Sequence, residues 1–106
     1  MEDQSENRPS VRDDSAGERF VVESGGHIAQ LIYRKEPGRL ILIHTEVPEE
    51  LGGRGIAGLL VQAAVASAAS ESRTVVPWCP YARRWLQDRK DVSSSVSIDW
   101  QDMPRV

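Results

Sequence analysis

The residues of this 106-residue chain best suited to chemistry are a glycine-rich stretch at 49–58, a lone cysteine at 79, and histidines at 27 and 44. The stretch EELGGRGIAG carries Gly52, Gly53, Gly55 and Gly58 with Arg54 among them, and Ile56-Ala57 opens an apolar-periodic segment. The first amides of a helix have no intrahelical acceptor, and the macrodipole places about half a positive charge there. Glycines clear side chains from those amides and allow φ > 0, while Arg54 adds a cation at the same place. The combination predicts an anion cradle, with a pyrophosphate as its natural guest. A glycine turn that caps a helix without any ligand is the plainer alternative.

Two nucleotide motifs compete for the same residues. A phosphate loop of the Walker type needs Lys-Ser/Thr after its last glycine, and Ile56-Ala57 follows Gly55, so it is excluded. The dinucleotide fingerprint GxGxxG does match at Gly53, Gly55 and Gly58, with Glu71 near the position of its ribose-binding acid. That fingerprint belongs to a parallel βαβ unit in a large doubly wound sheet, which a chain this short does not supply.

Cys79 falls at the end of one predicted strand, immediately before a predicted helix, where unpaired helix amides favour a thiolate. It is a candidate nucleophile, against the alternative of an inert buried cysteine. His44, near the end of another strand, is a candidate general base or a hydrogen-bonded structural histidine. Glu46, two residues on along the same strand face, orients His44 only if a turn or bulge intervenes. Tyr81 is a candidate proton donor to a leaving group, or part of the core. Trp78 and Trp85 read as packing, and His27, beside a turn, as exposed.

The elements that must position these groups follow from periodicity. RFVVES from Arg19 is β-rich and ends at the turn Gly25-Gly26. HIAQLIYRKE alternates Ile28, Gln30, Ile32 and Arg34 with Ala29, Leu31 and Tyr33, and Pro37-Gly38 makes the next turn. RLILIHTEV is apolar on both faces from Leu40 to Ile43, the pattern of a central strand covered on both sides. These three segments form an antiparallel meander. After the glycine loop, Ile56, Leu59, Leu60, Ala63 and Ala64 make one helical stripe, and the alanine-rich run to Ala69 favours helix. RTVVPW is a fourth strand, put at an edge or a break in pairing by Pro77. PYARRWLQDRK, with Pro80 in the first turn, is a second helix. The predicted fold class is α/β, in the order β-β-β-α-β-α.

Length allows one domain. Residues 1–18 hold six acids and two arginines, which leaves the remainder near neutral at +1 against −3 for the whole chain. Residues 1–17 read as a disordered acidic tail, 18–92 as the domain and 93–106 as a weakly structured tail in which Val96, Ile98 and Trp100 alternate. One cysteine excludes an internal disulfide and a cysteine-rich zinc site, and no metal is expected. Neither concentrated basic charge, as nucleic acid requires, nor a run of about 20 apolar residues, as a membrane span requires, is present. Without the apolar core of a secretory leader, the expectation is a cytoplasmic protein, monomeric or a weak homodimer through an exposed strand edge.

The runs LIHTEVPEELGGRGIAGLLV and VVPWCPYARRWL together resemble the short GNAT-like N-acetyltransferases, a reduced form of the GNAT fold, over residues 20 to about 90. The glycines of Glu50-Leu51-Gly52-Gly53-Arg54-Gly55 match that superfamily's acyl-coenzyme A loop, while Glu50 stands where an Arg or Gln is usual. The resemblance implies a mixed sheet with a splayed gap between the third and fourth strands of the predicted order. It implies that acetyl-coenzyme A pairs its pantetheine arm with the backbone of Glu46 and Val47, and its pyrophosphate with amides from Gly52 to Ile56. Ala57, in the first helical turn, and Tyr81 belong to the same implied cofactor site. Cys79 and His44 are then the implied catalytic residues for acetyl transfer to an unidentified amine. A coenzyme A-binding module without transferase activity is the alternative.

Overall fold

The computed structural model describes residues 10–104. In chain order these form β1 (Arg12–Asp14), β2 (Arg19–Ser24), β3 (His27–Glu36), β4 (Arg39–Glu46), a 3-10 turn (Glu49–Leu51), α1 (Ile56–Ser70), β5 (Thr74–Pro77), α2 (Pro80–Asp88) and a short α3 (Lys90–Ser93). The strands make one mixed five-stranded sheet in sequential order. Neighbours from β1 to β4 are antiparallel, and β4 and β5 are parallel. A parallel pair needs a crossover, and α1 supplies it. The meander, the α/β class and the order of the main elements are those read from the sequence.

One face of the sheet carries the core. Phe20 and Val22 of β2, Ala29, Leu31 and Tyr33 of β3, and Leu40 and Leu42 of β4 pack against α1 and α2. Helix α1 contributes Ile56, Leu60, Val61, Ala64, Val65 and Ala68, a stripe turned slightly from the predicted one. Leu59 and Ala63 are only partly buried. Helix α2 buries Ala82 and Leu86, one turn apart. On the outward face Val21, Ile41 and Val76 are buried as well, and Arg34 lies 5.6 Å over the Trp78 ring. Leu40 and Ile41 do fill both sides of β4, as predicted, but both helices join the single core on one side.

Both ends of the chain depart from the expected tails. Of the segment read as disordered, residues 1–9 lie outside those described, whereas Arg12–Asp14 pairs with Val21, Phe20 and Arg19 of β2. The anchors are polar, which is why an apolar-periodicity reading passes over them. Tyr33 donates its hydroxyl to Asp13 Oδ1 at 2.6 Å, and Arg19 donates to Asp14 Oδ2 at 2.9 Å. Burial and the Asp13 carboxylate together push the Tyr33 hydroxyl pKa up, so it stays a donor at all ordinary pH. Tyr33→Phe keeps the ring in the core and is expected to cost about 1.5–3 kcal/mol, the worth of a hydrogen bond to a charged group. Urea unfolding checks the cost, and amide exchange should show β1 opening more readily than β2.

At the other end, residues 93–104 form a strap. Ile98 bridges Val75 in parallel on the outer edge of β5, and Val96, Ile98 and Trp100 pack against the core. Arg83 donates to the Trp100 carbonyl at 2.5 Å, and Arg39 pairs with Asp99 and Asp102. The strap covers the edge that β5 would otherwise expose. Among the described residues, no helix is long and apolar enough to cross a membrane.

Candidate functional site

The parallel pairing of β4 and β5 runs from Arg39↔Thr74 to Leu42↔Pro77 and stops there. Pro77 cannot donate to a ladder, and the last link is the Cys79 N–H donating to the Leu42 carbonyl at 2.8 Å. The chain then turns into α2 at Pro80. Strand β4 continues to Glu46 with no β5 partner, so a gap opens between Ile43–Val47 and the start of α2.

A bulge decides what faces that gap. Tyr33 pairs with Leu42 and Ile32 with His44, which leaves Ile43 as an extra residue in β4. In an unbroken strand Leu42 and His44 would share a face; the extra residue puts them on opposite faces. Thr45, opposite Leu31, therefore turns inward toward the helices, while His44 and Glu46, opposite Ile32 and Gln30, turn outward. The Thr45 hydroxyl lies 3.2 Å from the Cys79 thiol. Cys79 is buried, and it starts α2 without a side-chain cap bond.

The structure thus brings Cys79 together with Thr45 on the helix side, and His44 together with Glu46 on the other. His44 Nε2 stands 3.2 Å from Glu46 Oε2 with both side chains half exposed, and no turn between them is needed. Gln30 donates to Glu46 Oε1 at 2.8 Å. That bond first, and His44 second, hold the Glu46 carboxyl below the usual carboxylate range. Its contribution is present above that range and lost only as the pH falls below it.

The glycine loop sits at the mouth of the gap. Leu51 is buried and pins the 3-10 turn. Gly55 is the N-cap of α1, with φ of 71° and no side-chain cap bond. The first bond into the helix runs from Leu59 N–H to the Gly55 carbonyl at 3.2 Å, so the N–H groups of Ile56, Ala57 and Gly58 are left without intrahelical acceptors. A Cβ built on Gly53 or Gly55 would meet nothing within 4 Å, so the space over these amides is open. Arg54 is exposed beside them and reaches the Ser24 hydroxyl at 3.5 Å. His27 approaches Glu50 at 3.8 Å on the rim.

Beside the loop, between α1 and α2, is a cavity of about 260 Å³ lined by Gly55, Gly58, Gln62, Tyr81, Trp85 and Arg89. Trp85 lies so close to α1 that a Cβ on Gly58 would fall 2.7 Å from its indole nitrogen. Gly58 therefore lets the helices approach, a packing role that its place in a GxGxxG pattern does not reveal. Arg89 stacks 5.1 Å over the Trp85 ring. Tyr81 is 42% exposed, and burial of the rest raises its hydroxyl pKa. Sequence reasoning missed Thr45, Gln30 and Arg89 here. The signals were the alternation of β3 for Gln30 and the i, i+4 spacing from Trp85 for Arg89; Thr45 had none, because regular alternation along β4 would turn it away from the helices.

Three comparisons bear on this arrangement. A family model described as GCN5-related N-acetyl-transferase matches residues 19–95. The solution NMR structure of a GCN5-like candidate N-acetyltransferase from Staphylococcus aureus superposes with a TM-score of 0.66 at 20% identity, over 87% of this chain and 91% of that one. No curated protein matches the sequence. At that identity the solved structure supports the fold, and the family model spans most of the chain, including the loop, the gap and both helices. The chain belongs to the GCN5-related N-acetyltransferase family.

Proposed function

We propose that the chain transfers an acetyl group from acetyl-coenzyme A to an amine, in the gap between β4 and α2. The observation that carries this reading is the continuity of three features: an open glycine cradle, an unpaired stretch of β4 beside it, and a thiol and an imidazole on the two sides of that stretch. The pyrophosphate lies on the amides of Gly53 to Ala57 beside Arg54, which is consistent with the empty space over Gly53 and Gly55; the Gly52 N–H, expected among them, is already donated to the Glu49 carbonyl at 3.0 Å. The pantetheine arm pairs with the free edge at Glu46 and Val47 as a further strand. The cavity of Tyr81, Trp85 and Arg89 accepts the nucleotide end.

The amine nitrogen attacks the thioester carbon, its proton passes to His44, and the carbon–sulfur bond breaks to release the thiolate of coenzyme A, which takes a proton from solvent. The amine approaches from the His44 side and the thioester from the Cys79 side. Cys79 either takes the acetyl group first, as a thioester that the amine then attacks, or lines the site for direct transfer. A free cysteine suits a reducing compartment, and we place the reaction in the cytoplasm.

Titration calorimetry with acetyl-coenzyme A is expected to give saturable micromolar binding, followed by turnover on at least one member of an amine panel. An acetyl mass on the intact protein marks the covalent route. Stoichiometric binding without turnover would identify a coenzyme A-binding module, and no binding would reduce the glycine loop to a turn. Arg54→Ala is expected to weaken binding about three- to tenfold at low salt, with the difference shrinking as salt is raised, because the lost contribution is an exposed charge.

A further inference from the structure

The outward face of the sheet carries a hydrogen-bond chain whose direction is set at one end. Arg19 Nε–H donates to Asp14 Oδ2 at 2.9 Å, and Arg19 Nη1–H donates to Gln30 Oε1 at 2.8 Å. A guanidinium has donors only, so the oxygen of the Gln30 amide must face Arg19 and its NH₂ must face away. That NH₂ donates to Glu46 Oε1 at 2.8 Å. The contact helps to hold Glu46 ionised at neutral pH, and an ionised carboxylate only accepts. Its other oxygen is the atom 3.2 Å from His44 Nε2. The hydrogen on that contact must therefore be on Nε2. A neutral imidazole carries one N–H, which leaves its lone pair on Nδ1.

We propose that Arg19 and Gln30 are positioning residues which, acting through Glu46, lock His44 in its Nε2–H tautomer and make Nδ1 the nitrogen that takes the proton from the acceptor amine. Four strands supply the chain: Asp14 from β1, Arg19 from β2, Gln30 from β3, and Glu46 and His44 from β4. A half-exposed imidazole in water samples both tautomers. The carboxylate favours one, and the direction of the Gln30 amide keeps that carboxylate in place. This also gives β1 a purpose: Asp14 holds the arginine that sets the direction. The Asp14 carboxyl is itself kept below the usual range, first by Arg19 and then by the Gly17 amide, so the chain is anchored by a charge at neutral pH. The catalytic half of the proposal rests on the reading of His44 as general base; the tautomer half does not.

The test is a long-range ¹H–¹⁵N correlation of the full chain labelled at histidine, near pH 8.5, about two units above the ordinary imidazole value. A His27→Asn variant assigns the two rings. In the native sequence the Nε2–H pattern is expected to dominate for His44. Glu46→Ala is expected to shift the ratio of Nε2–H to Nδ1–H about two- to fivefold toward Nδ1–H, the worth of an exposed charge-assisted contact. Arg19→Leu should move the ratio in the same direction, and Arg19→Lys, still a pure donor, should restore it. A dominant Nδ1–H pattern in the native chain, or a ratio unmoved in Glu46→Ala, would overturn the assignment. A ratio unmoved in Arg19→Leu would remove Arg19 from it. The measurement needs neither acetyl-coenzyme A nor an acceptor, so a failed transfer assay leaves it standing, and its own failure leaves the transferase reading untouched.

Discussion

Cys79→Ala is expected to lower acetyl transfer by about a hundredfold or more, the usual worth of a side chain that takes part directly in the reaction, while leaving acetyl-coenzyme A affinity within about twofold. The expectation comes from where the thiol sits. Its backbone N–H makes the last link between β4 and the start of α2, at 2.8 Å to the Leu42 carbonyl, and alanine preserves that link. The same holds for the turn into α2, where Pro80 rather than a side-chain cap opens the helix. What alanine removes is one sulfur, packed at 2% exposure and 3.2 Å from the Thr45 hydroxyl. Loss of so small a group costs about 1 kcal/mol of stability, which thermal unfolding can verify. The cradle proposed to hold coenzyme A is elsewhere, so affinity should survive. Cys79→Ser is the sharper companion, because serine keeps a polar contact to Thr45 but is a poor nucleophile. Turnover lost in both variants, with binding intact, identifies the thiol as a reacting group. Native turnover in Cys79→Ala would leave the cysteine as packing and assign the whole reaction to direct attack.

The part of this site that is legible in the sequence is the part made by local chemistry. Alternation in HIAQLIYRKE gives the two faces of β3, and Gly25-Gly26 and Pro37-Gly38 give the turns that set the registers Ser24↔His27 and Glu36↔Arg39. The glycine cradle, the start of α2 at Pro80 and the place of Cys79 between strand and helix are read in the same way. The bulge at Ile43 is not legible. Nothing in LILIHTE distinguishes a regular strand from a bulged one, since the cause is how β3 and β4 accommodate each other. Yet that one residue decides that Thr45, rather than His44, meets the cysteine. Strand β1 escapes for another reason. Its sequence, RDD, is polar, and what orders it is a phenol hydroxyl from Tyr33 and a guanidinium from Arg19, contacts between residues as far as 20 apart in the chain. The C-terminal strap lies between these cases. Val96, Ile98 and Trp100 show their alternation, but pairing with Val75 becomes evident only once β5 is known to be the edge.

On the proposed reading, the bulge lets so small a fold take two reactants. With His44 outward and Thr45 inward, the gap after Leu42 and Pro77 has polar groups on both of its sides. A thioester entering from the helix side and an amine entering from the open face would then meet in the gap without sharing an entrance. The strands on either side stay paired through β3 and through the strap, so the opening costs the sheet only the links beyond Cys79.

The largest loss of binding is expected at the glycine cradle, and the structure allows its two causes to be separated. Gly53 and Gly55 have φ of 77° and 71°, a conformation that a β-branched residue resists. Gly55→Val should therefore lose about 1–3 kcal/mol of stability as well as binding, and would not distinguish a broken loop from a filled site. Gly55→Asn does distinguish them, because asparagine tolerates the left-handed conformation. A Cβ there meets no protein atom within 4 Å outside its chain neighbours, so stability is expected to stay within about 1 kcal/mol of the native value. It would instead project over the N–H groups of Ile56 and Ala57, where the pyrophosphate is placed, and affinity for acetyl-coenzyme A should fall by about tenfold or more. Gly38→Asn is the control: Gly38 has φ of 72° and equally open surroundings, but it lies in the β3–β4 turn. The pair is to be compared by calorimetric titration alongside thermal unfolding. Weakened binding in Gly55→Asn alone, at matched stability, places the phosphates on the start of α1. Equal affinities in the two variants would mean that the open space above Gly55 is solvent, and that coenzyme A, if held at all, is held by the cavity of Tyr81, Trp85 and Arg89 instead.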